Sequence, residues 1–284
     1  MLDLKSMNIE NEKRKRELHL GIVLNPNIKV WRYMDLPKFM ALLDQKLLFF
    51  SRADLFLDPL EGSFTKPSIE YREKVWRESM RSIPDESFQR FLEFHKHINE
   101  EQRTNFYINC WHMNDQESVA MWELYGTKNQ SIAIQSKYCT LRECLPSNQN
   151  EAGAPLENHV DIGLVQYLDY STDPMPQLYS FDPFLRKRKS FSHEQEIRLF
   201  YQAPSKEGSY TKINGNFEFI PKDKEDTQKT TGKCFNIELN KLIENIYLSP
   251  VCPPWYLELI KSICKKYGID KPVSQSNINC EPLY

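Results

Sequence analysis

The hydrophobic and polar positions of the chain follow helical spacing in some segments and strand spacing in others. The clearest helical pattern follows Asp35, a residue suited to cap a helix, and places Leu36, Phe39 and Leu43 on one face of a helix that ends near Gln45. Short apolar runs, bounded by polar or turn residues, indicate strands. The predicted strands cover residues 29–33, 47–50, 106–111, 131–135, 160–170, 196–201, 243–248 and 273–274.

Further helices are predicted over residues 68–82, 85–101, 117–125, 181–191 and 254–267. The first two of these are highly charged, and we interpret residues 68–101 as a helical hairpin inserted into the fold. The order of elements lacks regular βαβ alternation, which favours an α+β class. We expect a charged tail over residues 1–24. A single compact domain over residues 25–284 should have a mixed central sheet with helices packed around it.

Composition excludes several classes of protein. The 284 residues are 40% hydrophobic, so the chain can form a core and is not globally disordered. The 37 Lys and Arg nearly balance the 39 Asp and Glu, so the net charge of -2 gives no overall attraction to nucleic acid or to an anionic membrane. No apolar run is long enough for a membrane span, and the N-terminal residues do not resemble a secretory signal. The cysteines are scattered and include no C-x-x-C pair, so we expect a reduced cytoplasmic protein with no membrane partner.

Well-known nucleotide and hydrolase motifs are absent. The sequence contains no P-loop, no G-x-G-x-x-G, no G-x-S-x-G and no H-E-x-x-H. Cys110 and His112 would share one face of a strand, but a metal ion there would need two more ligands. We therefore predict no metal site.

Two basic runs could contact phosphate groups. One lies at Lys13–Arg16 in the charged tail and the other at Arg186–Lys189. A solvated surface is the simpler interpretation of each run. If they bind phosphate, the protein is a nucleic-acid-associated effector or sensor.

Four separated motifs stand in a recognisable order. They are Trp31-Arg32-Tyr33, the loop Asp58-Pro59-Leu60-Glu61-Gly62, the segment E-S-V-A-M-W-E-L-Y-G at residues 117–126, and Glu194-Gln195-Glu196-Ile197-Arg198. In this respect the chain resembles the bacterial domain-of-unknown-function family 2971, from about Trp31 to Ser276. The resemblance implies no settled activity, although some members are thought to sit near phage-defence genes.

A more distant resemblance concerns ADP-ribosyltransferases. An arginine on the first strand, and a late strand that opens with E-x-E, are similar to the layout of those enzymes. The resemblance implies NAD as co-substrate, with Glu196 beside the ribose and Glu194 orienting the nucleophile. Residues i and i+2 of a strand point to one face, so both carboxylates can share a pocket and separate each other's pKa values. The chain departs from the arginine-type enzymes because it lacks a clear Ser-Thr-Ser strand. Arg198 could also tie both carboxylates into a structural ion-pair network.

Other residues could complete such a site. Arg32 could bind a pyrophosphate through its planar guanidinium, and an aromatic side chain could stack on nicotinamide or adenine. The predicted cofactor-binding residues are Arg32, Tyr33, Ser51, Arg52, Trp122 and Tyr125, and the predicted substrate-binding residues are Asp58, Glu61 and Lys189. Each also has a structural interpretation, since Trp122 could pack in a core and Asp58 and Glu61 could form a turn.

The leading hypothesis is a bacterial defence or toxin-type effector with an ADP-ribosyltransferase-like NAD site and a nucleic-acid or protein acceptor. It requires Arg32 and Glu196 to face one cleft. The alternatives are the nucleic-acid-associated effector, an interaction module that uses the helices of residues 68–101, and a metal-dependent nuclease that uses Asp58, Glu61 and Glu196.

Overall fold

A computed structural model describes residues 15–21, 23, 25–127, 129–145, 159–203, 208–213, 216–221 and 230–278. These residues form an α+β fold with a large mixed sheet, as the sequence predicts. The strands are β1 Lys29–Met34, β2 Leu47–Arg52, β3 Phe106–Met113, β4 Ile132–Lys137, β5 Asp161–Leu164, β6 Gln166–Leu168, β7 Arg186–Arg188, β8 Glu196–Gln202, β9 Gly208–Ile213, β10 Asn216–Pro221, β11 Gly232–Asn236, β12 Asn245–Leu248 and β13 Val273–Gln275. The helices are α1 Leu36–Gln45, α2 Lys66–Ser79, α3 Asp85–Asn105, α4 Val119–Tyr125, α5 Tyr138–Glu143, α6 Leu239–Leu242 and α7 Pro254–Lys266.

Local signals set the bounds of α1. The Asp35 carboxylate accepts a hydrogen bond from the backbone N–H of Lys38 at 2.9 Å, which caps the first turn. Lys46 adopts a left-handed conformation, with φ of 53°, and ends the helix. The predicted and observed bounds of α1 therefore agree.

The main sheet forks at β3. One edge of β3 pairs along its length with β8, which pairs in turn with β5. The other edge is shared, because β2 pairs with Tyr107 and Ile108 while β1 pairs with His112 and Met113. One branch continues from β2 to β11, and the other runs from β1 through β4 and β12 to β13. All neighbours in this sheet are antiparallel except β12 and β13.

Side chains fill the fork where β1 and β2 diverge. The Asn109 amide donates to the Phe49 carbonyl at 2.7 Å and accepts from the Trp111 indole N–H at 2.8 Å. The Arg32 Nη1 atom lies 3.5 Å from the Cys110 carbonyl oxygen. Polar groups that have no strand partner at this point are thus satisfied by side chains.

The two faces of the sheet are covered differently. The larger core packs α1, α5, α6 and α7 on one face, around buried residues such as Phe39, Trp111 and Ile260. On the other face lie two smaller apolar clusters, one around Phe184 and one around Trp122. The polar residues of the candidate site lie on this second face.

Several elements differ from the sequence predictions. The predicted helix over residues 181–191 is wrong, because this segment forms a 3-10 turn at Asp182–Leu185, strand β7 and a second 3-10 turn at Lys189–Glu194. Pairing of β7 with β6 and burial of its charges override the helical preference of the basic run. The predicted strand over 160–170 is two strands, and β11 was not predicted.

The structure describes part of the predicted tail and all of the predicted hairpin. Residues 15–20 are helical, and Arg16 forms an ion pair with Asp161 at 2.5 Å. The predicted insertion corresponds to α2 and α3, which begin two residues earlier and end four residues later than predicted. Lys13 and Arg14 lie outside the described residues. No helix among the described residues is long and apolar enough to cross a bilayer.

Candidate functional site

Strand alternation brings the E-x-E-x-R motif to one face of the sheet. In the β3–β8 pair, Cys110 stands opposite Arg198 and His112 opposite Glu196. Glu196 and Arg198 therefore project on the same face as Cys110 and His112. Both charged side chains are buried, and Arg198 has no exposed surface.

Lys187 connects the two carboxylates of the motif. From β7 its ammonium group donates to Glu194 Oε2 and, at 3.1 Å, to Glu196 Oε1. The Phe191 ring lies 4.6 Å from the same ammonium group. Burial alone would lower the pKa of Lys187, but the carboxylates of Glu196 and Glu194 outweigh it and raise that pKa, so the lysine is held charged.

Arg198 binds the neighbouring carboxylate of the D-P-x-E-G loop. Its guanidinium contacts Glu61 through Nη1 at 2.5 Å and Nη2 at 3.1 Å, and Glu196 through Nε at 2.7 Å. Nη1 also donates to the Phe184 carbonyl at 2.6 Å. The cluster of Glu61, Lys187, Glu194, Glu196 and Arg198, called here the buried charge cluster, holds three acidic and two basic side chains.

The environments of the two carboxylates shift their pKa values in opposite directions. Burial would raise the pKa of Glu196, but the charges of Arg198 and Lys187 dominate and lower it to about 2. Burial raises the pKa of Glu194, and its hydrogen bond with Glu196 raises it further. Glu196 is therefore a fixed negative charge, while Glu194 can take up and release a proton.

Two tyrosines contact the residues of this pair, one at a carboxylate and one at the backbone. The Tyr125 hydroxyl, at the end of α4, donates to Glu194 Oε1 at 3.1 Å. The Tyr167 hydroxyl accepts from the backbone N–H of Glu196 at 2.8 Å. Burial and the nearby carboxylates raise the pKa of Tyr125, so its hydroxyl stays protonated and remains a donor.

Arg32 is not part of the charge cluster. Trp31 pairs with His112, which stands opposite Glu196, so Arg32, the next residue of β1, leaves the sheet on the opposite face, and Arg32 and Glu196 do not project into one cleft as the leading hypothesis requires. Within the described ranges, the half-buried Arg32 guanidinium forms no ion pair with any carboxylate, including Glu194 and Glu196. Burial lowers the pKa of Arg32 to about 10, and the nearby Cys110 opposes this change. The charges of Glu196, Arg198 and Lys187 in turn affect the pKa of Cys110. Arg32 is thus a cation without a counter-charge among these residues, separated from the acidic pair by the sheet.

An aromatic cluster borders the buried charge cluster. The rings of Tyr33 and Trp122 meet edge to face at 4.9 Å, and both side chains are buried. The Tyr33 hydroxyl accepts from the Ser118 N–H at 3.0 Å, and the Trp122 indole donates to Glu117 at 3.1 Å. Tyr125 is 40% exposed and covers Glu194 from the solvent side.

His112 lies beside the Glu194 backbone as a neutral imidazole. Its Nδ1 lies 2.6 Å from the carbonyl oxygen of Glu194, which can only accept, so Nδ1 carries the proton. The other ring nitrogen is buried and has no hydrogen-bond partner in the described structure. Burial lowers the pKa of His112, in agreement with the neutral state.

The remaining predicted site residues lie outside the buried charge cluster. Arg52 binds Asp54 and the Thr230 carbonyl, and Ser51 lies beside it on β2. Asp58 binds Arg188 at 2.8 Å, and Lys189 binds Asp173 at 2.9 Å with a largely exposed side chain. The structure therefore brings Glu61, Glu194, Glu196 and Tyr125 together and leaves Tyr33 and Trp122 at the border. Arg32 projects on the opposite face of the sheet, and the remaining residues lie elsewhere.

The basic run Arg186–Lys189 is neutralised by neighbouring acids. Arg186 lies 3.8 Å from Asp182, and the other three cations pair with the carboxylates described above. Arg186 and Lys187 are also buried. This run presents no free positive patch, so it gives no support to nucleic-acid binding.

Sequence reasoning missed Lys187, the residue that bridges the acidic pair. The helix predicted over residues 181–191 gave no reason to single out Lys187, because a helix spreads four consecutive cations over all of its faces. An extended Arg186–Arg188 segment places Lys187 on the side opposite its neighbours, which is the signal that could have found it.

Two of the cavities among the described residues are well formed, and neither of these two is lined by the charge cluster. One, of about 460 Å³, lies between α2 and residues 174–177. The other, of about 650 Å³, lies between Lys46, the β11–α6 segment and Gly268. Among the described residues no group of three or more His, Cys, Asp or Glu is placed to hold a metal ion.

Comparison with known proteins adds no relative. No family model matches the chain, and neither the curated proteins nor the solved structures include a significant match. The resemblances to family 2971 and to ADP-ribosyltransferases therefore stay predictions.

Proposed function

We propose that the protein is an enzyme that breaks the nicotinamide–ribose bond of NAD, with Glu194 and Glu196 as its catalytic carboxylates. The observation that carries this proposal is a pair of buried carboxylates that share the Lys187 ammonium group but differ in their other partners, Arg198 for Glu196 and the Tyr125 hydroxyl for Glu194. This difference lowers the pKa of Glu196, while burial raises that of Glu194. A pair of acids whose environments separate their pKa values is typical of acid–base catalysis on sugars.

The reaction assigns one role to each carboxylate. As the bond between ribose C1′ and the nicotinamide nitrogen breaks, its electron pair leaves with nicotinamide and the ribose gains oxocarbenium character. Glu196, held ionised, stabilises that positive charge. The ionised form of Glu194 accepts the proton of the incoming water or acceptor hydroxyl, and its raised pKa makes it a stronger base than an ordinary glutamate.

The border residues provide binding groups for the rest of the dinucleotide. The rings of Tyr33, Trp122 and Tyr125 suit a base or nicotinamide. Arg32 projects from β1 on the opposite face of the sheet, so the proposal assigns it no contact with the dinucleotide. Access to Glu194 requires the Tyr125 ring to swing outward, because its hydroxyl is bound to that carboxylate.

The cellular setting is proposed on separate grounds. Scattered cysteines without a C-x-x-C pair favour the cytoplasm, and the resemblance to family 2971 favours a bacterial effector of the phage-defence or toxin type.

Release of nicotinamide from NAD tests the proposal directly. The purified protein is incubated with NAD and the products are measured by chromatography and mass spectrometry. We expect Glu194→Gln to lower the rate by about a hundredfold or more, because the amide cannot accept the proton. Glu258→Gln, at an exposed carboxylate on α7, is the matched control and should retain the full rate.

The fold of each variant is checked by circular dichroism and thermal unfolding, since Glu196→Gln also disturbs Arg198. No nicotinamide release by the unmodified protein would refute the proposed function. Equal rates for Glu194→Gln and Glu258→Gln would refute the role of Glu194.

A further inference from the structure

The 460 Å³ cavity lies in a part of the molecule that the proposed reaction does not use. Its walls are the exposed side of α2 and the segment that precedes the Asp182 turn, and apolar atoms dominate the lining. The lining residues are Pro67, Ser68, Tyr71, Arg72, Val75, Trp76, Pro174, Met175 and Gln177. Its volume lies within the range of small-molecule sites.

Arg72 supplies a cation in this apolar cavity. Its guanidinium lies over two aromatic rings, 4.6 Å from the centre of Phe64 and 4.9 Å from that of Trp76. Within the described part of the chain it forms no ion pair, and its Nε is buried without a hydrogen-bond partner. Burial lowers the pKa of Arg72, while Glu73 opposes the change. An arginine in such a setting lacks the anion that would compensate its desolvation.

The cavity is held in shape before any ligand binds. The Ser68 hydroxyl accepts from the Met175 N–H at 2.8 Å, and the Gln177 amide donates to the Ser68 carbonyl at 3.1 Å, so α2 is tied to the opposite wall. Trp76 is fixed from behind by α3, with its ring 4.4 Å from His95 and 5.0 Å from Phe91. A preformed site loses little conformational entropy when it is filled.

We propose that this cavity binds a small aromatic carboxylate, with the carboxylate paired to Arg72 and the ring against Trp76, Val75 and Met175. The aromatic rings against the guanidinium offer its N–H groups no carboxylate, so these N–H groups are left to recognise an anion. The planar fork of an arginine matches a carboxylate, and an aromatic body fits walls made of aromatic and aliphatic side chains.

A matched pair of probes tests the charge requirement. Binding of 1-naphthylacetate and of its uncharged analogue 1-naphthylacetamide to the full chain is measured by calorimetry. We expect the carboxylate to bind about tenfold more tightly or better, because only it can form a charge-assisted pair with Arg72. Arg72→Gln should bring the two affinities together.

Two further variants separate the fork from general charge. Arg72→Lys retains a positive charge without the planar fork and is expected to lose most of the preference. Arg77→Gln lies on the same helix, where Arg77 pairs with Asp85 outside the cavity, and should leave both affinities unchanged. Equal binding of the two probes by the unmodified protein, the same preference in Arg72→Gln, or no binding of either at millimolar concentration would overturn the proposal.

Discussion

Arg198 shows why a single residue type is required at one position of the site. Its guanidinium has five N–H groups, and the carboxylates of Glu61 and Glu196 together with the Phe184 carbonyl give it acceptors at every nitrogen. A lysine could reach only part of this set. The E-x-E-x-R pattern was enough to predict that Arg198 could pair with Glu194 or Glu196. The partner Glu61 lies 137 positions away in sequence, and no local pattern joins the two.

Replacing Arg198 with methionine should destabilise the protein strongly. Buried Glu61 would lose its counter-charge and Glu196 would keep only Lys187, so we expect the free energy of unfolding to fall by about 3–5 kcal/mol. Urea denaturation measures the loss. Arg90→Met is the control, because Arg90 and Glu86 form an exposed pair on α3 whose removal should change stability by roughly 0.5 kcal/mol or less. Similar losses for both variants would contradict this account of the cluster.

Elements with local signals were predictable, and elements defined by distant partners were not. Helix α1 has its cap, its proline and its apolar face within eleven residues, and its bounds match the prediction. Strands β7 and β11 carry no comparable pattern. The former is defined by β6 and by the buried acids that Lys187 meets, and the latter by its pairing with β2. The fork at β3 likewise depends on contacts between segments far apart in sequence.

Substitution of Gly62 measures how tightly the D-P-x-E-G loop packs against the second face of the sheet. Gly62 has φ of 70°, and a Cβ there would overlap the ring of Phe184, which stacks on Phe106 with centroids 3.9 Å apart. Gly62→Ala should therefore cost both backbone strain and a clash, about 3 kcal/mol together.

Gly268→Ala isolates the first of these effects. Gly268 has the same φ, but no atom lies within 4 Å of the position that a methyl group would take, so the expected loss is about 1 kcal/mol. Thermal and urea unfolding of the two variants give the difference. If Gly62→Ala were no worse than Gly268→Ala, the loop would be free to shift and would not fix the position of Glu61.

At the scale of the whole molecule, most charged side chains lie at the surface, but a small group of them is buried and paired inside the fold. The net charge is only -2, the Arg186–Lys189 run is paired throughout, and Arg16 ties the helical residues 15–20 to β5. Composition predicted the small net charge, but it could not predict that the basic run would be half buried. The stability of the protein should for this reason depend on pH through a few buried groups.

His112 is one buried group whose titration affects stability in the mildly acidic range. Because its pKa in the folded protein is lowered, it contributes stability that is complete above the ordinary histidine pKa near 6.5 and is lost as the pH falls below that value. We expect the free energy of unfolding to fall more between pH 7.5 and pH 5.5 for the unmodified protein than for His112→Gln. Urea denaturation at both pH values makes the comparison.

The two carboxylates do not produce the loss of stability expected between pH 7.5 and pH 5.5. Glu196 titrates at a lower pH, and Glu194 changes the stability in the opposite direction. Glu196, with a pKa of about 2, contributes stability above its ordinary value near 4.5 that is lost as the pH falls toward 2. The raised pKa of Glu194 makes folding more favourable as the pH falls, and this effect is present in both proteins being compared. Equal pH dependence of the two proteins would show that His112 does not carry the effect.

The fork at β3 also bears on how the chain is synthesised. A ribosome releases β3 roughly 80 residues before β8, the strand that covers one whole edge of it. At typical rates of 5–20 residues per second, the N–H and C=O groups of that edge stay unpaired for about 4–16 s. The apolar side chains of β3, among them Tyr107, Ile108 and Trp111, are exposed during the same interval. Such an edge is a template for pairing with other nascent chains, so recovery of the protein from cells should improve with slower initiation or with more of a chaperone that binds extended apolar segments.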